Sequence, residues 1–198
     1  MKKSRLEAFS DGVVAIIITI MVLEFKAPQT ADLHALTALV PMFIGYVLSF
    51  TYVGIYWNNH HHMLYSIDSI NGKALWANLN LLFWLSLIPF VTEWMDNNHF
   101  AKWPVICYGV VLIMNALAYT LLQYVLIRHS GKNSPLAQAT GRDWKGKASI
   151  AIYATAIALA FFNPYVAFAL YIVVAIIWFL PDPRIERKVA PHHPTNET

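Results

Sequence analysis

Residues 5–25 read RLEAFSDGVVAIIITIMVLEF, and this stretch decides the fold. A helix crosses a bilayer with about 20 mostly apolar residues, each rising about 1.5 Å. Residues 12–23 supply an unbroken uncharged run, and the first span is placed over 5–25. Four ionisable residues fall inside or at the edge of it: Arg5, Glu7, Asp11 and Glu24. Such groups are costly at membrane depth and face a partner or a water-filled cavity. Glu7 is read as lying among headgroups, and Arg5 and Glu24 fit either headgroups or partners. Asp11 sits more than a turn and a half deeper than Arg5, six positions away and off its face, so each needs partners on other helices. A cleaved signal peptide is the competing reading of residues 1–25. Glu7 and Asp11 interrupt its expected pattern, and Glu24-Phe25-Lys26 makes a poor cleavage site.

Working outward, further spans begin and end where charge stops. Residues 35–59, 74–92, 103–127 and 148–181 carry no Asp, Glu, Lys or Arg. Asn163-Pro164 divides the last stretch into a tight hairpin of two short spans, because proline cannot continue the helical hydrogen bonding. The expected architecture is an all-α integral membrane protein with six transmembrane helices in a single repeat. Its domain covers 1–181, with spans near 5–25, 35–59, 74–94, 103–127, 147–162 and 164–181. Residues 182–198, rich in proline, charge and histidine, read as a flexible cytoplasmic tail.

Composition agrees. Of the 198 residues 58% are hydrophobic and 13% charged, against about 45–50% and about 25% in soluble domains. That surplus of apolar surface exceeds what one core can hide. A lone cysteine, Cys107, excludes an internal disulfide framework and a cysteine zinc site. With six spans and the N-terminus inside, twelve of the fourteen Lys and Arg lie on the inner side, leaving Lys26 and Lys102 outside. The positive-inside rule then puts both termini in the cytoplasm. Trp57, Trp94, Trp103, Trp144 and Trp178 fall near span ends, as interfacial aromatics do.

The first span also carries a pattern. Gly12, Ile16, Thr19 and Leu23 recur at intervals of four, three and four, forming one stripe. Lipid has no use for a glycine and a hydroxyl there. A packing face would use them for close approach. A pore wall would use the aliphatics as a constriction and the hydroxyl as a ligand for a partly dehydrated cation. Spacing alone favours packing.

The second span ends Tyr56-Trp57-Asn58-Asn59-His60-His61-His62. Successive helical residues point about 100° apart, so the three histidines cannot converge on one ion, and no metal site is expected. One histidine turning inward to a buried carboxylate fits better, and Asp11 is the natural candidate. Asn78, Asn80, Asn115 and Gln123 read as interhelical hydrogen-bonding residues. There is no nucleophile–base pair, phosphate loop or zincin helix. The chain is therefore not expected to be an enzyme, and no cofactor or nucleic-acid partner is expected. The TVGYG filter of ordinary potassium channels and paired broken helices are also missing from the sequence.

Arg5-x-x-x-Phe9-Ser10-Asp11 opening the first helix, followed by Ile16, Thr19 and Leu23, resembles the transmembrane protein 175 family of endolysosomal potassium channels in its bacterial branch. Tyr56-Trp57-x-x-His60-His61 supports the likeness, as does Asn78 through Leu82-Phe83, Ser86-Leu87 and Pro89-Phe90. It covers the first half of the chain well; the last three spans match only in number and length. The resemblance implies a homotetramer in a bacterial inner membrane, passing monovalent cations with weak preference for potassium. Its pore would be lined by four first helices, with Ile16 as bottleneck and Thr19 and Leu23 beyond it. Arg5, Phe9, Ser10 and Asp11 would join Trp57 and either His60 or His61 in a polar network that holds this helix. The stripe that spacing assigns to packing thus becomes a pore wall. The alternatives are a proton-coupled secondary transporter or a proton leak using Asp11 and a histidine, and a metal-binding protein or membrane enzyme organised by His60 to His62.

Overall fold

A computed structural model of the chain describes residues 3–28, 30–131, 133–141 and 143–179. The tail expected over 182–198 lies outside them. The described residues are helical: α1 (Lys3–Leu23), α2 (Leu33–Thr37), α3 (Val40–Tyr65), α4 (Gly72–Ser86), α5 (Ile88–Asn97), α6 (Lys102–Ser130), α7 (Pro135–Thr140), α8 (Trp144–Ala160) and α9 (Pro164–Phe179).

The boundaries follow from local chemistry. Asn71 accepts from Ala74 N at 2.9 Å to open α4, and Asp143 accepts from Gly146 N at 2.9 Å to open α8. Asn163 Oδ1 accepts from Tyr165 N at 3.0 Å, and Pro164 takes the first helical position of α9, where no N–H is needed. α6 carries Arg128 and His129 in its last turn, against the negative end of its dipole. It stops at Gly131, whose φ of 95° suits glycine.

Among the described residues, four segments are long and apolar enough to cross a membrane: Lys3–Leu23, Val40–Tyr65, Gly72–Asn97 and Lys102–Ser130. The third is not continuous. What the sequence presents as one span is α4 and α5, broken at Leu87, because Pro89 cannot donate to the carbonyl of Leu85. Asn115 of α6 reaches the break and donates to Trp84 O at 3.4 Å. α8 and α9, of 17 and 16 residues, form the terminal hairpin.

The helices pack around α3 and α6. α6 lies against α4, α5, α8 and α9, while α1 lies against α3, α4 and α5. Tyrosines connect the layers: Tyr52 Oη donates to Tyr171 O at 2.6 Å, and Tyr171 Oη to Val105 O at 3.2 Å. A methyl group at Gly109 would collide with the Tyr171 hydroxyl and Ile157, so only glycine lets α6 come this close.

Candidate functional site

The helix α1 has two faces of different character. Leu6, Ser10, Val14, Ile17 and Met21 are buried against the bundle. Gly12, Ile16, Thr19 and Leu23 point away from it. Ile16 is 58% exposed and Leu23 77%. A Cβ at Gly12 would meet nothing within 4 Å. The Thr19 hydroxyl lies 3.0 Å from both Ala15 O and Ile16 O, so it donates into its own helix.

The buried face is anchored by a polar chain near the start of α1. Asn78 Nδ2 donates to Ser10 Oγ at 3.0 Å, and its Oδ1 accepts from His60 Nε2 at 2.7 Å. An amide oxygen can only accept, so His60 carries a proton on Nε2. The three side chains come from α1, α4 and α3, and all are buried. Each finds a partner across a helix interface where an unpaired polar group costs about 1–3 kcal/mol. Trp57 Nε1 donates to Asp11 Oδ1 at 2.9 Å on the adjoining exposed side. His61 stacks on Trp57 at 6.3 Å between ring centroids and on Tyr65 at 6.5 Å.

Ser10, Asp11, Trp57, His60 and His61 are thus gathered at one end of α1 and α3. His60 turns inward, as one histidine of the run should, but its partner is Asn78 and not Asp11. Asn78, read from sequence only as an interhelical hydrogen-bonding residue, is the link between Ser10 and His60. Phe9 and Arg5 are exposed, and Arg5 makes no hydrogen bond or ion pair among the described residues. Lys3 takes the tethering position instead: its Nζ donates to Ile67 O at 3.0 Å and to Tyr65 O at 3.4 Å, and pairs with Glu7 at 3.9 Å. Sequence reading counted Lys3 only as an inner-side charge. Of the histidine run, His61 and His62 are exposed while His60 is buried, and no group of three or more His, Cys, Asp or Glu among the described residues is placed to hold a metal.

Comparison with known proteins places the chain. Residues 5–89 match the family described as the endosomal/lysosomal potassium channel TMEM175. The chain is 54% identical over 189 residues to a potassium channel of Chryseobacterium sp. (strain P1-3), covering 96% of this chain and 98% of that one. It is 26% identical over 182 residues to the endosomal/lysosomal proton channel TMEM175 of Mus musculus, covering 81% of this chain but 36% of that longer protein. In three dimensions it superposes with a TM-score of 0.79 on the crystal structure of a lysosomal potassium-selective channel TMEM175 homolog from Chamaesiphon minutus. That match has 26% identity and covers 90% of this chain and 96% of the other. The matched region contains both α1 stripes and the Ser10–Asn78–His60 chain, and the relatives are ion channels and not enzymes. This chain is a bacterial member of the TMEM175 family.

Proposed function

We propose that the chain is a potassium-permeable, weakly selective cation channel, assembled as a homotetramer around a pore lined by α1. Its six spans are α1, α3, the broken α4–α5 pair, α6, α8 and α9. Both termini face the cytoplasm of a bacterial inner membrane, and residues 182–198 form a cytoplasmic tail. No cofactor takes part; the permeant ion is potassium.

The observation that carries this reading is the outward stripe of α1. This chain carries there a glycine, two bulky aliphatics and one hydroxyl, all facing away from the subunit that holds them. Four copies of Ile16 brought to one axis make a hydrophobic constriction that closes by narrowing or dewetting and opens when the helix turns slightly. Thr19 and Leu23 line the pathway beyond it, and Gly12 leaves room on the near side. The Ser10–Asn78–His60 chain fixes the helix from behind, and the Trp57–Asp11 bond holds it from the adjoining side. Phe9 and Arg5, exposed in the single subunit, are available to a neighbouring subunit in the same network. Relatives described as potassium channels support the choice of ion.

Flux and single-channel recording in liposomes holding only this protein test the reading. Unitary, potassium-favouring currents altered by Ile16→Asn or Thr19→Val are expected. Saturable coupled uptake without unitary currents would point instead to a transporter. Currents that reverse at the proton equilibrium potential would put this chain with the relatives described as proton channels.

A further inference from the structure

At the Leu23 end of α1, far from the His60 chain, a cavity lies between three helices. It encloses about 280 Å³, partly open to solvent. Met21, Glu24 and Phe25 line it from the end of α1, Met42 and Tyr46 from α3, and Thr92, Glu93 and Asp96 from α5. Three carboxyl groups therefore share one small space, with no lysine, arginine or histidine in its lining.

Asp96 is the unusual one. It is 5% exposed, and its Oδ1 is buried without a hydrogen-bond partner. A methyl group at Gly45 would collide with its carboxyl group, so α3 comes close at a glycine to cover it. The Tyr46 hydroxyl makes no hydrogen bond to it, and three further hydroxyls nearby have nothing to offer. Thr92 donates to Ile88 O at 2.7 Å, so Ser49, 2.7 Å from Thr92, donates to Thr92, and Tyr108, 2.9 Å from Ser49, donates to Ser49. Each hydroxyl has one proton, and all three are committed. Asp96 also lies in the last turn of α5, where the helix dipole opposes a negative charge.

The titratable groups around it strengthen the argument. The segment just after α1 presents Glu24, α3 presents Tyr46, and Tyr108 of α6 stands behind Ser49. α5 itself adds Glu93, whose Oε1 accepts from Asn97 at 3.4 Å. The only titratable residue of α4, Lys73, is at that helix's opposite end, and His99, three residues beyond Asp96, is exposed. An ionised carboxylate buried without donor or counter-charge is far more costly than a neutral acid.

We propose that Asp96 is a proton-binding site at the Leu23 end of the bundle, neutral while α1, α3 and α5 are packed together. When the pH on this side rises, the O–H bond breaks, the proton passes to water entering the cavity, and the carboxylate remains. The new charge lies behind Met21 and Glu24, at the end of α1. It draws cations towards that end and favours wetting of the cavity. This last consequence rests on the α1-lined pore; the site itself does not.

The test is infrared spectroscopy of the full-length protein in liposomes, across acidic to alkaline buffers. Wild type at neutral pH is expected to show the carbonyl stretch of a protonated carboxylic acid, lost on raising the pH. The band should be missing from Asp96→Asn and retained in Glu24→Gln and Glu93→Gln. Its persistence in Asp96→Asn, or its absence from wild type, overturns the proposal. Asparagine matches the neutral acid in shape, so Asp96→Asn and Asp96→Leu should both accumulate folded. Failure of both while wild type folds would mean that the packing requires the charge, and the proposal falls. In flux assays, raising the pH at the Leu23 side should increase cation flux in wild type and not in Asp96→Asn. The spectroscopic result stands whether or not current flows, so failure of the pore reading is recognised separately.

Discussion

Ile16 and Ile17 are neighbours in sequence and opposites in environment. Ile17 is packed into the bundle, and Ile16 points out of it. The same division runs the length of α1: Ser10, Val14 and Met21 lie inward, and Gly12, Thr19 and Leu23 outward. One helix therefore carries two different sets of demands. Its inner stripe must satisfy one subunit's packing and hydrogen bonds. Its outer stripe answers to whatever lies beyond the subunit, which under the proposed function is three other copies of itself and an ion. Hydropathy does not separate the two, because isoleucine serves both.

The sharpest way to break the comparison is to make one substitution on each stripe. Ile17→Asn should lose assembled protein in the membrane, because a buried amide without partners costs about 2–4 kcal/mol on top of the lost packing. Ile16→Asn should assemble normally, and in single-channel records raise conductance while weakening potassium over sodium preference. If both variants fold equally well, the inner stripe does not exist as described. A smaller effect is expected at the polar chain. Asn78→Leu leaves His60 without its acceptor and removes the donor to Ser10, lowering thermal stability by about 1–3 kcal/mol. Gly109→Ala, remote from α1, should cost about 1–3 kcal/mol through overpacking against Tyr171 without altering ion selectivity, which separates general bundle stability from the α1 stripes. Smallest is Trp57→Phe, which deletes the partly exposed bond to Asp11. About 0.5–1.5 kcal/mol is expected, with a shift in open probability that flux assays can read.

Much of the helical layout was legible because charged residues mark where apolar runs stop. The hairpin before Pro164 was legible for a different reason, since Asn-Pro is both a helix end and a helix start. The break at Leu87 was not read, although Pro89 stood in the quoted motif. A proline early in α5 reads equally well as part of a kinked single span until packing reveals where the chain turns. Asp96 was missed because a carboxylate near a span end looks like the end of the apolar region. Its burial depends on Gly45, distant in sequence, and no periodicity connects them. The inward turn of one histidine was foreseen, while its partner was not. Asn78 and Asp11 both offer an acceptor oxygen, and only the approach of α4 to α1 and α3 selects the amide.

The Thr19 hydroxyl has a further consequence. Its single proton is spent on the carbonyls of Ala15 and Ile16, so it has none left to offer outward. What it presents away from the bundle is an oxygen with lone pairs only. A ring of such oxygens can accept from a hydration shell or touch a bare cation, yet has no hydrogen to give a chloride ion. Under the proposed function, sign discrimination at this level of the pore then needs no charged side chain. It follows from a bond the helix makes with itself, and replacing Thr19 by serine should keep it wherever the same backbone bond forms.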